Sequence, residues 1–109
     1  MPADEGLVER IRTYFNDYPN INEKKMFGGV CFMLNGNMIC GVDSYHLMLR
    51  VGKDQYEECL ERPNATKMDF TGKPLKGFIY VDQDGIAEDE ELEEWIRTAE
   101  AFVGELPPK

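Results

Sequence analysis

The chain has 109 residues, a length at which one domain with one modest core is expected. Its hydrophobic fraction of 42% and charged fraction of 30% are typical of a soluble globular protein, and no apolar run approaches the roughly 20 residues that a membrane span needs. Because the first stretch, MPADEGLVER, lacks the basic and apolar regions of a signal peptide, we expect a cytoplasmic protein without a membrane partner.

The formal net charge of −9 is concentrated in the last quarter of the chain. Residues 1–81 hold eleven acidic and ten basic side chains, whereas residues 82–105 hold ten acidic side chains against Arg97 alone. Such a surface repels phosphate backbones and lacks the electrostatic attraction that dominates DNA affinity. We therefore expect no direct binding of nucleic acid.

The first predicted element is an amphipathic helix that begins after Asp4, a residue type suited to cap it, and ends before Pro19. Its apolar positions recur at helical spacing and comprise Leu7, Val8, Ile11, Tyr14, Phe15 and Tyr18. Two apolar strands, 30–34 and 37–42, then flank Asn35-Gly36, the dipeptide that best supplies the two positive φ angles of a type I′ turn. A tight hairpin is predicted here.

The elements after the hairpin are read from turn residues and apolar runs. DSYH forms a turn, LMLRV (47–51) a third strand and KDQYEECLERP a short helix that ends at Pro63. A strand at KMDF, a glycine and proline loop at TGKPLKG and a strand at FIYV (78–81) follow. The chain closes with a helix whose apolar stripe comprises Leu92, Trp95, Ile96, Ala99, Phe102 and Val103, and we expect this stripe to be buried.

This series predicts a single α+β domain over residues 1–109, with the element order α-β-β-β-α-β-β-α. Its architecture is a two-layer α/β sandwich with an antiparallel sheet. Since the strands are apolar on both sides, we expect one face of the sheet to pack against the helices and the other to contact something else.

The stretch MFGGVCFMLNGNMICGV is rich in glycine but fits neither a dinucleotide fingerprint nor a P-loop, because a strand and not a helix follows Gly28-Gly29. These glycines are interpreted as a bend or bulge before the hairpin.

The two-residue turn predicts that Cys31 pairs directly with Cys40. A disulfide is then geometrically open, but a third cysteine, Cys59, and the expected compartment favour three reduced thiols packed as small apolar groups.

Metal and catalytic motifs are weak. The three cysteines and the single His46 have no metal-ligand spacing, and His46 lies in a predicted turn, where a surface residue is favoured over a general base. The stretch DQDG is interpreted as a turn, since a calcium loop would require an acid where Tyr80 stands. We expect no enzyme activity and no cofactor.

One segment resembles a binding loop. Residues 62–77 carry Arg62, Lys67, Lys73 and Lys76 against Asp69 alone, in a glycine and proline loop that can present them to an acidic partner. Lys67, Asp69, Lys73 and Lys76 are the candidate ligand- or partner-binding residues. The alternative is a solvated loop with no ligand.

The chain resembles the TfoX N-terminal domain family from about residue 10 to residue 107. The resemblance is carried by KKMFGGVCFMLNGNMICGV, LMLRVG, MDFTGKPLKGFIYV and the tryptophan helix that ends in LPP. It implies a fold similar to secretion-chaperone-like domains and no catalytic residues. In the name-giving members, TfoX or Sxy, this domain precedes a C-terminal helical domain and the whole regulates competence genes; we expect the present chain to lack that second domain.

The function expected is therefore a non-enzymatic regulatory or protein-interaction module with an unidentified protein partner, similar to the N-terminal domain of these transcription regulators. The alternative is a small-ligand-binding domain. Because the basic loop and the acidic closing helix carry opposite charge, self-association as a homodimer is a further expectation.

Overall fold

A computed structural model of the chain describes residues 4–26, 28–69 and 72–108. These residues form three α-helices and one six-stranded sheet. The helices are α1 (Glu5–Tyr14), α2 (Lys53–Leu60) and α3 (Asp89–Val103), and the strands are β1 (Ile21–Met26), β2 (Gly29–Leu34), β3 (Asn37–Val42), β4 (Leu47–Arg50), β5 (Ala65–Asp69) and β6 (Pro74–Val81). Every neighbouring pair is antiparallel, in the spatial order β1-β2-β3-β4-β6-β5. The predicted α+β class with an antiparallel sheet is confirmed.

The predicted element order is wrong by one strand, because four strands and not three precede α2. The added strand, β1, pairs along its whole length with β2 and ends with Met26 opposite Gly29. Its four central residues are exposed, as suits a polar strand at a sheet edge. The bend predicted at Gly28-Gly29 is the β1–β2 turn, in which Gly28 has a φ of 74°; Phe27 lies outside the described residues.

All three helices contribute to one core on one face of the sheet. Buried helix residues such as Ile11, Tyr56 and Trp95 pack there against Phe32 and Leu49 of the strands. The predicted cap of α1 is confirmed, since the Leu7 amide donates to the Asp4 side chain at 3.2 Å.

The other face of the sheet carries a sulfur-rich cluster. Because side chains alternate along a strand, Cys31 and Met33 lie on this face and Phe32 and Leu34 on the helix-side face. The buried members of the cluster are Cys31, Met33, Met38, Met48 and Met68. Each is at most 8% exposed. The predicted apolar second face therefore exists, and its cluster is already shielded from solvent within the single chain.

The predicted pairing of Cys31 with Cys40 is wrong. Leu34 lies opposite Asn37 as expected, but Phe32 lies opposite Cys40, so Ile39 is an extra residue and β3 bulges. This extra residue places Cys31 opposite Gly41. Cys40 belongs to the helix-side core and Cys31 to the sulfur-rich cluster on the other face. The predicted packing of the cysteines in the interior is confirmed, and all three are free.

The loop predicted over 71–77 is shorter in the structure. Strand β6 begins at Pro74, where a strand tolerates the missing N–H, and continues through Gly77 at a φ of 91°. Phe70 and Thr71, predicted at the end of a strand and the start of this loop, lie outside the described residues.

The closing helix is a core element, as predicted. Trp95 is 3% exposed and Ile96 is fully buried, and Phe102 is partly buried and packs against the same core. Before this helix the predicted turn at DQDG is confirmed as one turn of 3-10 helix, in which the Asp82 carboxylate accepts from the Asp84 amide at 3.1 Å.

Candidate binding site at the Arg50 end of the sheet

A cavity of about 220 Å³ lies where the end of β4, the start of α2 and the middle of β6 meet the last turn of α3. We call it the Arg50 cavity. Its lining residues are Arg50, Gly52, Lys53, Asp54, Lys76, Gly77, Phe78 and Phe102.

Two glycines bring these segments together. The amides of Val51 and Gly52 both donate to the carbonyl of Gly77, at 2.8 and 3.1 Å. Gly52 has a φ of 80°, and a Cβ atom there would lie 2.4 Å from Cδ1 of Phe102. Only glycine lets the chain turn from β4 into α2 beneath that ring.

Arg50 lies between two aromatic rings. Its guanidinium carbon is 5.7 Å from the ring centroid of Phe78 and 5.7 Å from that of Phe102. Both distances are within the range of a cation–π contact. The rings orient the guanidinium without occupying its N–H donors.

Arg50 differs from the other arginines of the chain in having no carboxylate partner among the described residues. The others each form an ion pair, namely Arg10 with Asp89, Arg12 with Glu23, Arg62 with Glu94 and Arg97 with Glu93. Within the described part of the chain, no carboxylate competes with a ligand for the Arg50 donors.

The cavity is positively charged. Lys53 and Lys76 are exposed and, within the described part of the chain, neither is in an ion pair. Asp54 is the one carboxylate among the lining residues, so the three cationic groups exceed it by two charges. In a chain of net charge −9, this is a local excess of positive charge.

A model of the TfoX N-terminal domain family matches residues 13–103. The chain belongs to the TfoX N-terminal domain family. The match includes every strand and all residues that line the Arg50 cavity. Comparison with curated proteins and with solved structures found no significant match.

The structure disperses the candidate residues predicted for this TfoX N-terminal domain. Lys67 and Asp69 are exposed on the edge strand β5, and Lys73 is exposed in the turn before β6. Lys76, on β6, is the one of the four that lines the Arg50 cavity. Arg62 lies elsewhere, because its guanidinium binds Glu94 of α3.

Sequence analysis missed Arg50, Lys53, Phe78 and Phe102 as site residues. They come from four different elements, so no local spacing connects them. The one local signal is the glycine between Arg50 and Lys53, which marks a sharp turn directly after a strand.

The remaining reactive side chains are held in structural contacts. Burial raises the pKa of the Cys31 thiol to about 11, and burial also raises the pKa values of Cys40 and Cys59. The His46 ring stacks on Tyr80 with centroids 4.3 Å apart, and its Nδ1 lies 3.4 Å from Asp43. No group of three or more His, Cys, Asp or Glu side chains in the described ranges is arranged to hold a metal ion. None of the described helices has the length and apolarity to cross a membrane.

Proposed function

We propose that this TfoX N-terminal domain is a non-enzymatic protein-interaction module that binds an acidic segment of a partner protein at the Arg50 cavity. The observation that carries the proposal is the orientation of Arg50 by Phe78 and Phe102 without any carboxylate partner among the described residues. The role of the module is regulatory, in keeping with the transcription regulators that give the family its name.

The chemistry of the cavity supports a protein partner. Arginine and aromatic residues, phenylalanine included, are enriched at protein interfaces relative to the rest of the surface. Lys53 and Lys76 add exposed positive charge at the rim, where it acts mainly on the rate of association. The two lysines would therefore attract an acidic segment at long range, and Arg50 would bind it at the centre of the cavity.

The state of the thiols supports a function without catalysis. A cysteine nucleophile needs a lowered pKa, and burial raises the pKa of all three cysteines here. His46 is engaged with Tyr80 and Asp43 and does not line the Arg50 cavity.

The test is affinity capture by the full tagged chain from cells that make it, with quantitative mass spectrometry of the captured proteins. The site variant carries Lys53→Glu and Lys76→Glu. The control variant carries Lys24→Glu and Lys25→Glu, which change the net charge equally on the exposed strand β1.

We expect a partner that is enriched by the wild-type chain and by the control, and at least about tenfold less by the site variant, as about 1.4 kcal/mol of lost binding free energy gives. Enrichment should also fall as salt is raised. Equal loss in the two variants would show that gross charge alone is recognised, and no enrichment over bait-free resin would contradict a stable interaction.

A further inference from the structure

We propose that the Arg50 cavity binds the phosphate group of a small phosphate ester. This inference deepens the proposed function. One consequence rests on that function: a bound ester would compete with the acidic segment of the partner. The binding itself is measured on the chain alone.

The charge of the cavity matches a phosphate monoester. Arg50, Lys53 and Lys76 exceed the single carboxylate, Asp54, by two positive charges. A phosphate monoester carries about −1.5 to −2 charges at pH 7 and offers three strong acceptor oxygens. A single carboxylate would neutralise only half of this excess.

The chemistry of Arg50 suits binding of a phosphate group. A guanidinium presents a planar fork of donors that fits phosphate oxygens in a bidentate manner. The contacts with Phe78 and Phe102 restrict the Arg50 fork, so less side-chain freedom is lost on binding. The N-cap of α2, Gly52, has no side chain to accept from the first-turn N–H groups, so these donors have no side-chain cap.

The size of the cavity suits a small group. Pockets for drug-sized ligands have volumes of about 300–1,000 Å³, and the Arg50 cavity has about 220 Å³. It accommodates a phosphate group with a compact substituent against the two rings.

The experiment is a titration of the isolated 15N-labelled chain with inorganic phosphate, phenyl phosphate and succinate, followed by amide NMR shifts. We expect saturable shifts at Gly52, Lys53 and Gly77 with both phosphates, and binding of succinate at least about tenfold weaker. Succinate has the same charge as a phosphate dianion but a different geometry, so it separates recognition of phosphate from simple charge attraction.

Three variants locate the binding. Arg50→Gln and the double variant Lys53→Gln with Lys76→Gln should each weaken phenyl phosphate at least about tenfold, whereas Lys24→Gln on β1 should leave the affinity unchanged. Thermal unfolding of each variant checks its fold; should Arg50→Gln be unfolded, the double variant gives the answer, since both its lysines are exposed.

The proposal is overturned by the absence of saturable shifts, by succinate binding as tightly as phenyl phosphate, or by equal weakening in Lys24→Gln. None of these results depends on a protein partner. Failure of the titration therefore leaves the capture experiment to decide the proposed function by itself.

Discussion

The guanidinium carbon of Arg62 lies 3.6 Å from the ring centroid of Trp95. Nη2 of Arg62 donates to the Glu94 carboxylate at 3.0 Å, and Nη1 donates to the hydroxyl of Thr98 at 3.3 Å. Arg62, just after α2, thereby covers one side of the only tryptophan and connects α2 to α3. This contact explains why Arg62 is not part of a basic binding surface.

The first prediction concerns the tryptophan. Trp95→Ala should lower the free energy of unfolding by about 3–5 kcal/mol, because a buried aromatic side chain is lost and a cavity remains. Tyr45→Ala is the control, since the Tyr45 side chain is 63% exposed and its loss should cost within about 0.5 kcal/mol. Urea unfolding measures both, and equal midpoints for the two variants would show that α3 is not a core element.

The second prediction concerns the thiols. Because Cys31, Cys40 and Cys59 are buried, a thiol reagent should label the native chain slowly and should label three cysteines once it is unfolded. Cys31→Ser or Cys40→Ser should cost on the order of 1–3 kcal/mol, since each would bury a hydroxyl. A Cys31–Cys40 disulfide found by mass spectrometry of the unreduced chain would contradict the register of the hairpin.

The third prediction is a loss of stability at alkaline pH. A thiol in the unfolded chain releases its proton near its ordinary pKa of about 8.5, whereas the buried Cys31 keeps its proton until about pH 11. Above about pH 8.5 the unfolded state therefore binds fewer protons than the folded state, and the free energy of unfolding falls as the pH rises.

Comparison of two chains isolates this effect from other titrations. The free energy of unfolding should fall less steeply with pH for Cys31→Ala than for the wild type between about pH 8.5 and 11. The difference in slope should be up to about 1.4 kcal/mol per pH unit, because one titrating proton is removed. Urea unfolding at intervals of pH gives both curves. Parallel curves for the two proteins would mean that Cys31 ionises as readily in the folded state as in the unfolded state.

Local sequence determines the parts of this fold that were predicted correctly. The Asn35-Gly36 turn has φ angles of 54° and 84°, and the pairing of Leu34 with Asn37 follows from that turn alone. The bulge at Ile39 lies only two residues after Asn37. It has no glycine or polar residue that would have predicted it from the sequence. The bulge lets two adjacent residues, Ile39 and Cys40, both pack into the helix-side core.

Features that depend on distant partners were not predictable in the same way. Strand β1 is polar at most positions and is held by pairing with β2, so it has no alternating pattern of its own. The Arg50 cavity joins residues separated by up to 52 positions, from Arg50 to Phe102. Lys76 was predicted from local charge, but its position in the same cavity as Arg50 required the fold.

The last prediction concerns a second copy of the chain as the acidic partner. The outer side of α3 exposes the acidic side chains of Glu90 and Glu91, and the basic side chains of Lys73 and Lys76 are exposed elsewhere on the chain. Two-fold dimers are the commonest assembly of soluble proteins, and in such a dimer the lysines of each copy would face the acidic helix of the other.

Lys73→Glu combined with Lys76→Glu should therefore weaken self-association, and raised salt should weaken that of the wild type, because exposed charges are screened. Sedimentation equilibrium over a range of salt and protein concentrations measures both effects, with Lys24→Glu and Lys25→Glu as the charge-matched control. A dimer insensitive to salt would place the interface on an apolar surface instead. A monomer at the highest concentration would exclude a second copy as the partner.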